Sequence, residues 1–256
     1  MPKSRCRIKP RINPVDEPPS HRPWPVPDRR WAIRMRWCDL LFAHWPVDTA
    51  IMRRLIPMGL ELDLFDGQAY VGAVPFRMEQ VTPRGVPALP GIDAFPELNL
   101  RTYVTRGGKA GVWFFSLDAG QKLAVRVARR FFHLPYFDAR FEIRSSGECV
   151  DYSATRTHRG SPAARFHARY CPAGAVSKSM PGTLEHWLTE RYCLYSANKA
   201  GRIYRGEIDH AQWPLQPAAA EVETNSLGDW LGIEMKRPPK TLHFAKSLDV
   251  HAWLPY

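Results

Sequence analysis

Four polar side chains alternate along one predicted strand. The strand covers residues 97–105 (ELNLRTYVT), and its polar face consists of Glu97, Asn99, Arg101 and Tyr103. Successive side chains of a strand point to opposite faces, so these four share one face. Inside a curled sheet they would bring an acid, an amide, a guanidinium and a phenol to one cavity, where they could pair with an anion and move a proton. The same alternation fits a half-buried strand with its polar face in solvent, and the pattern alone favours that second interpretation.

His44 is a second candidate for acid–base chemistry. It precedes Trp45-Pro46 at the entrance of a predicted helix, where a histidine could titrate near neutral pH. The alternative is a packed, hydrogen-bonded histidine without a chemical role. The chain contains nine histidines but no H-E-x-x-H spacing, so neither a metal site nor a cofactor is indicated.

Two further polar segments have competing interpretations. Residues 156–169 contain four arginines, two histidines and no acidic residue. This stretch could bind a phosphate or a carboxylate, or it could be the solvated rim of a hairpin. Glu190 and Arg191 end a predicted helix, and one of them could reach the sheet. The alternative is an ordinary amphipathic helix.

Several large enzyme classes lack their signatures in this chain. There is no G-x-S-x-G elbow, no G-x-G-x-x-G turn after a strand and no phosphate-binding P-loop. Residues 106–109 (RGGK) form a hairpin turn rather than a phosphate site, because no helix begins after them. The pattern therefore disfavours Rossmann dehydrogenases, kinases, P-loop NTPases and α/β-hydrolases.

The elements that must position these residues are mostly strands. Helical spacing predicts helices over residues 49–56, 119–132 and 184–192, and a short one over 226–231. Alternation predicts a hairpin around Asp66-Gly67, a strand partner for 97–105 at 111–117, and strands at 137–144, 149–156, 165–171, 201–209, 217–224 and 241–250. The Pro-rich residues 82–96 predict a long loop of the kind that lines sites. We expect one α+β domain over residues 31–256, dominated by antiparallel strands in a curled or closed sheet.

The net charge of +11 is concentrated at the N-terminus of the 256-residue chain. The first 36 residues hold ten Lys and Arg against three acids, and eight prolines fall within residues 1–28. We expect residues 1–30 to be an irregular, basic arm. Such an arm could bind nucleic acid through phosphate contacts, although a solvated tail is the favoured interpretation.

The cysteines and the hydropathy pattern indicate a reduced, non-membrane environment. Five cysteines without a C-x-x-C pair disfavour a disulfide framework, and we expect reduced structural thiols. No run approaches the roughly 20 apolar residues of a membrane span, and no secretory signal is visible. We expect a cytoplasmic protein without a membrane partner, and the sequence leaves self-association open.

Six blocks, in order, resemble the bacterial DUF2071 (YqjF-like) family. They are DLLFAHWPVD (39–48), LELDLFDGQAYVGAVPFRM (60–78), LPGIDAFPELNLRTYVTRGGKAGVWFFSLDA (89–119), RRFFHLPYFDARF (129–141), LEHWLTERYCLYSA (184–197) and HAQWPLQPA (210–218). The resemblance implies an acetoacetate decarboxylase-like fold, which is a mainly antiparallel β-cone or barrel around an internal pocket with a few flanking helices. The family supplies no established biochemical role.

The resemblance also implies which chemistry is missing. In the decarboxylases, a lysine after a Gly-Phe-Pro turn forms a Schiff base with the ketoacid. Here the matching turn is His133-Leu134-Pro135-Tyr136, and a tyrosine cannot form an imine. The similarity of fold does not carry the decarboxylase function with it.

These observations lead to two hypotheses. In the first, a cavity binds, and can convert, a small organic acid or carbonyl compound without a Schiff base. Arg101 would pair with an anion, Tyr136 would donate a proton or hydrogen bond, and Glu97 or His44 would be the base. The remaining contacts would come from Asn99, Tyr103, Trp113 and Phe115. In the second hypothesis, the protein binds nucleic acid or a partner through its basic arm and has no catalytic role. It ranks lower because no nucleic-acid recognition module is present.

Overall fold

The computed structural model describes residues 21–87 and 93–256, which form twelve strands and three short α-helices. The strands are β1 (Ile33–Val47), β2 (Glu61–Leu62), β3 (Ala69–Pro83), β4 (Phe95–Arg106), β5 (Lys109–Ala119), β6 (Tyr136–Ser146), β7 (Cys149–Arg156), β8 (Arg165–Pro172), β9 (Cys193–Ala197), β10 (Ile203–His210), β11 (Gln216–Asn225) and β12 (Thr241–Ala252). The helices are α1 (Thr49–Leu55), α2 (Lys122–Phe131) and α3 (Leu184–Thr189), with a 3-10 turn at Asp229–Leu231.

The sheet closes twice on itself. In the first ring, β1, β3, β4, β5, β9, β10 and β12 are joined edge to edge. In the second ring, β6, β7, β8 and β11 replace β9 and β10 between β5 and β12. The two rings therefore share one wall, β5–β4–β3–β1–β12. All pairings are antiparallel except those of β5 with β6 and with β9, which confirms the predicted mainly antiparallel β fold.

The two faces of the shared wall meet different interiors. One face packs into the nine-strand ring, where a solid core includes Phe115, Tyr152, Phe166, Tyr170 and Phe244. The other face lines a cavity inside the seven-strand ring. A strand in the shared wall is consequently buried on both faces, which is why its polar residues can be as buried as its leucines.

Local sequence chemistry explains the turns and caps around this wall. Gly107 and Gly108 both have positive φ, at 57° and 72°, which is the backbone that a tight hairpin between β4 and β5 requires. Asp48 caps α1 by accepting hydrogen bonds from the backbone N–H of Ala50 and Ile51. The hairpin agrees with the turn predicted for residues 106–109, and α1 lies within the helix predicted over residues 49–56.

Two local features differ from the prediction. Residues 193–197 form β9, a strand that was not predicted because its sequence, CLYSA, does not alternate between apolar and polar residues. On helix α2, Leu123 and Phe131 are eight residues apart and lie on the same face. They are nevertheless exposed by 51% and 60%, whereas Val125 is buried. The buried face of α2 is therefore not the one that the largest side chains suggest.

The described part of the N-terminal arm has no helix or strand over residues 21–32, but it is docked. The Arg22 guanidinium is buried and pairs with the Glu207 carboxylate at 2.7 Å, and the Trp24 indole N–H donates to the same carboxylate at 2.8 Å. Residues 1–20 lie outside the described residues. The nucleic-acid hypothesis concerns the whole basic arm and stays a prediction, which deletion of residues 1–28 and a measurement of salt-sensitive binding would test.

The expectation that all thiols are reduced requires correction. Cys149 and Cys171 form a disulfide with their Cα atoms 4.3 Å apart. They lie at adjacent ends of the antiparallel pair β7–β8, next to the Val150–Tyr170 pair, and this cross-strand neighbourhood is invisible to a search for C-x-x-C spacing. Cys38 and Cys193 are free and buried. No helix among the described residues is long and apolar enough to cross a bilayer.

Candidate ligand-binding cavity

A cavity of about 350 Å³ lies inside the seven-strand ring. Its wall consists mostly of apolar and aromatic side chains from the inward faces of the strands and from α2. The apolar lining includes Leu40, Phe42, Val74, Phe76, Phe114 and Trp213. An apolar cavity of this size with a few polar groups is the usual form of a small-molecule site.

The polar face predicted for β4 points into this cavity. Glu97, Asn99 and Arg101 all line it and are exposed by only 1%, 5% and 9%. The alternative of a solvated face is excluded, because both faces of β4 are buried in the doubly closed sheet. Leu98 and Leu100, on the opposite face, pack into the solid core of the nine-strand ring.

Glu97 forms a hydrogen-bonded pair with Tyr136. Tyr136 begins β6 next to Leu117 of β5, and its hydroxyl donates to Glu97 Oε2 at 2.8 Å inside the cavity wall. Burial raises the pKa of Glu97 to about 8, while hydrogen bonds from Tyr136 and Asn99 oppose the rise. Burial and the neighbouring carboxyl hold the pKa of Tyr136 well above its ordinary value, so the phenol stays neutral. With a pKa of about 8, the Glu97 carboxyl can take up and release a proton near neutral pH.

Arg101 is a buried cation in the cavity wall with no carboxylate within ion-pair distance in the described part of the chain. Its Nη2 donates to the Leu188 carbonyl at 3.2 Å, and its Nε has no hydrogen-bond partner among the described residues. The guanidinium lies over the Phe42 and Tyr103 rings at 5.4 and 5.7 Å. Aromatic faces hold the group in place but do not neutralise its charge.

Arg191 adds a second guanidinium to the same region. It follows α3, lines the cavity and pairs with Asp63 at 2.5 Å, while its Nη2 lacks a partner among the described residues. Burial lowers the pKa of Arg191, the Asp63 carboxylate opposes that effect, and the positive charge of Arg101 adds to it. Arg101 and Arg191 are two neighbouring guanidinium groups, and only Arg191 is paired with a carboxylate, so positive charge is in excess at this end of the cavity.

His44 and Tyr103 lie behind Arg101 and do not line the cavity. The Tyr103 hydroxyl donates to the Leu188 carbonyl at 2.9 Å, so it accepts from His44 Nε2 at 2.7 Å. Burial and the positive charge of Arg101 hold the pKa of His44 well below its ordinary value, consistent with a neutral imidazole. His44 is buried and does not line the cavity, so it cannot contact a molecule bound there, whereas Glu97 can. His44 and Tyr103 instead fix the surroundings of Arg101.

Trp113 and Phe115 do not reach the cavity, contrary to their predicted ligand contacts. The pairing of β4 with β5 has a bulge, with Leu100 opposite Ser116 but Arg101 opposite Phe114. Val112, Phe114 and Leu117 therefore face the cavity. Phe115 belongs to the solid core of the nine-strand ring, and Trp113 packs against it.

The basic stretch at 156–169 does not form one anion site. Arg156 is buried against Asp118 at 2.6 Å, His158 contacts Asp138 at 3.0 Å, and His167 lies between Asp151 and Glu223. The acids that contact Arg156, His158 and His167 lie outside this stretch, so the local sequence could not show them. No group of three or more His, Cys, Asp or Glu among residues 21–87 and 93–256 is arranged to hold a metal ion.

Several cavity residues were not predicted from the sequence. Arg191 was considered only as a helix-end residue, and His210, Trp37 and Trp213 were not considered at all. All except Trp37 fall within the blocks that carry the family resemblance. Trp37 and Trp213 stack at 5.8 Å between ring centroids, a contact between β1 and a loop that is distant in sequence.

The class of fold follows from comparison with solved structures. The chain superimposes on an acetoacetate decarboxylase-like enzyme from Sphingomonas wittichii RW1 with a TM-score of 0.61 and 13% identity, covering 88% of this chain and 93% of that one. It also matches an acetoacetate decarboxylase from Legionella pneumophila with a TM-score of 0.57 and 14% identity, covering 97% of this chain and 98% of that one. These similarities establish the acetoacetate decarboxylase-like fold.

Sequence comparison narrows this class to one family. The DUF2071 family, described as an uncharacterized conserved protein, matches residues 34–249. The chain is also 46% identical over 228 residues to the uncharacterized protein YqjF of Bacillus subtilis (strain 168), covering 89% of this chain and 93% of the relative. The chain belongs to the DUF2071 family, as its sequence blocks predict.

Proposed function

We propose that the cavity binds a small organic acid, with the ligand carboxylate paired to Arg101. The observation that carries this proposal is the buried guanidinium of Arg101, which lines the cavity without a carboxylate of the described chain to neutralise it. A buried charge is costly unless it is paired, and a ligand carboxylate would supply the missing partner with charge-assisted hydrogen bonds.

The test compares acids with uncharged analogues of the same shape. Isothermal titration with hexanoate and hexanamide measures the contribution of the carboxylate alone. We expect hexanoate to bind more tightly, and Arg101→Gln to weaken hexanoate binding roughly ten- to a hundredfold through the loss of a charge-assisted hydrogen bond. Arg106→Gln is the matched control, because Arg106 is an exposed arginine on the same strand. Equal affinity for the acid and the amide would contradict the proposal.

Stability provides an independent readout of the same residue. A buried arginine without a carboxylate partner lowers the stability of the ligand-free protein, so a protein that keeps one for ligand binding should not need it for folding. Arg101→Gln is therefore expected to unfold in urea at the same concentration as the wild type or at a higher one, while losing the ligand. A variant that loses both stability and binding would indicate that Arg101 supports the fold.

The position and pKa of Glu97 support a second activity of the cavity, which is proton transfer between the Glu97 carboxylate and the bound ligand. Its carboxyl lines the cavity, its pKa lies near 8, and the neutral phenol of Tyr136 orients it. Such a carboxylate could take a proton from the carbon next to a carbonyl group, with the negative charge passing to the carbonyl oxygen, and could then return a proton to that carbon. The net change in D2O is an exchange of hydrogen for deuterium.

The exchange can be measured on 2-oxohexanoate by the loss of its C3 proton signals in NMR spectra. We expect the wild type to accelerate the exchange, with a rate that rises about tenfold per pH unit up to about pH 8, because the ionised carboxylate is the base. Glu97→Gln should abolish this acceleration. An undiminished rate in the variant would remove Glu97 from the role.

A further inference from the structure

The cavity is elongated along the strands of the shared wall. Going along β4, the inward residues are Arg101, Asn99, Glu97 and Phe95, which span about 20 Å at the usual rise of a strand. The partners of these residues on β3 are Gly72, Val74, Phe76 and Met78 in the same order. Met78 pairs in turn with Trp37 of β1, and Pro83 pairs with Ile33. The pairing therefore defines an axis that leads from Arg101 towards Ile33.

Burial decreases in one direction along this axis. On β1, Phe42 and Leu40 are exposed by 1% and 2%, whereas Trp37, Met35 and Ile33 are partly exposed. At the far end, Val86 and Leu123 line the cavity with exposures of 43% and 51%. We call the region around Arg101 the deep end and the region around Val86 and Leu123 the exposed end.

Polarity changes in the same direction. The deep end holds the two guanidinium groups of Arg101 and Arg191, together with Asn99 and Thr189. Beyond Glu97 the wall is aliphatic, aromatic or thioether apart from Gln121 and His210. This part of the wall includes Met35, Met78, Val81, Phe95, Leu123 and Phe132. A small acid held by Arg101 would leave this apolar length unoccupied.

We propose that the ligand is an amphipathic monocarboxylic acid, with its carboxylate at Arg101 and an extended alkyl or arylalkyl body reaching the exposed end. This inference rests on the proposed function, because Arg101 supplies the anchor for the carboxylate. The apolar body would cover the side chains between Glu97 and Leu123 and remove them from water, and the gain grows with each carbon buried. Glu97, midway along the axis, is mostly protonated at pH 7 because burial raises its pKa to about 8, so it does not repel an anionic ligand.

A chain-length series tests this geometry. Isothermal titration at pH 7 with acetate, butanoate, hexanoate, octanoate and decanoate should show the dissociation constant falling by up to about fourfold per methylene until the cavity is filled. Hexanamide and decanamide, measured in parallel, separate the contribution of the head group from that of the chain. A constant affinity from butanoate to decanoate would overturn the inference while leaving the proposed function intact.

A matched pair of variants on α2 locates the far end of the ligand. Leu123 and Phe131 are both exposed on the same helix, but only Leu123 lines the cavity. Leu123→Gln should weaken decanoate binding by about threefold or more and leave butanoate unchanged, because only the long chain reaches that position. Phe131→Gln should leave both affinities unchanged.

The outcomes of the series distinguish the two proposals. Chain-length dependence with equal affinity for decanoate and decanamide would reject the anchoring role of Arg101, which is the proposed function. Tight binding of all the acids with no effect of Leu123→Gln, or equal effects of Leu123→Gln and Phe131→Gln, would reject the extended apolar body. A steep series with a selective Leu123 effect and a preference for the acids supports both proposals.

Discussion

The Tyr136 hydroxyl donates a hydrogen bond to Glu97 Oε2 at 2.8 Å, which joins the start of β6 to β4 within the cavity wall. In the family resemblance, Tyr136 stands where the decarboxylases carry their Schiff-base lysine. A phenol beside a buried carboxyl gives a neutral donor and a proton carrier, whereas a lysine there would give a nucleophile. Because a phenol cannot form an imine, Tyr136 offers no Schiff-base chemistry at this position.

The buried Glu97 carboxyl should make stability depend on pH. Its pKa is about 8 in the folded protein against 4.5 when unperturbed, so between these values the folded state holds a proton that the unfolded state has released. Stability is therefore lost as the pH rises from about 4.5 to 8.

The Glu97→Gln variant has no carboxyl to titrate at this position, so its free energy of unfolding relative to the wild type should rise by on the order of a few kcal/mol over this range. Urea unfolding at pH 5 and pH 9 measures the difference, with the exposed Glu142→Gln as control. A stability difference that is independent of pH would contradict the assigned burial.

Acetoacetate should form no reducible adduct with this protein. Imine formation needs an uncharged amine in the cavity, and none of the lysines of the described residues lines it. Lys240, for example, contacts the Tyr70 hydroxyl, and Lys246 pairs with Asp39. Mass spectrometry after treatment with acetoacetate and borohydride should show an unchanged mass, with an acetoacetate decarboxylase treated in parallel as the positive control. An adduct mapped to a lysine would show that this assignment is incorrect.

The local pattern predicted most of the strands but not what each strand packs against. The alternation over 97–105 correctly separated Glu97, Asn99 and Arg101 from the leucines, because the two-residue period is a local property. It could not show that both faces are buried, since that follows from the second closure of the sheet. Phe115 was misplaced for a related reason, because a bulge in the pairing of β4 with β5 changes which residues of β5 face the cavity.

Features that depend on distant pairing were not accessible from the residues alone. Arg191 reaches the cavity only because β9, directly after it, pairs with β5. The partner of Cys149 is fixed by the register of β7 on β8, and the partner of Arg156 lies 38 residues away on β5. The strand pattern led us to expect a curled or closed sheet, but only the resemblance to a family with a known fold supplied the internal pocket.

The Cys149–Cys171 disulfide should contribute measurable stability. It joins residues with a sequence separation of 22. Restricting the unfolded chain over such a loop raises the free energy of unfolding by about 3 kcal/mol. Dithiothreitol should lower the urea midpoint of the wild type, and Cys149→Ser/Cys171→Ser should unfold at that lower midpoint with or without the reductant. Thiol alkylation before and after reduction verifies the oxidation state. A wild-type midpoint that does not change on complete reduction would contradict this contribution.

Replacing one partner of the buried ion pair between Asp118 and Arg156 should lower the free energy of unfolding far more than replacing both. The two side chains are exposed by only 2% and 1% and meet through two hydrogen bonds, which link β5 to β7. Arg156→Met leaves the Asp118 carboxylate buried without its cation, at an expected cost of about 3–5 kcal/mol. The pKa of Asp118 is already raised by burial and only partly restored by Arg156, so the cost should shrink in acid, where the carboxyl protonates. Asp118→Leu/Arg156→Met removes the charge together with its partner and should recover most of the loss in urea unfolding. A double variant as unstable as the sum of the two single variants would show that packing, rather than the unpaired charge, determines the cost.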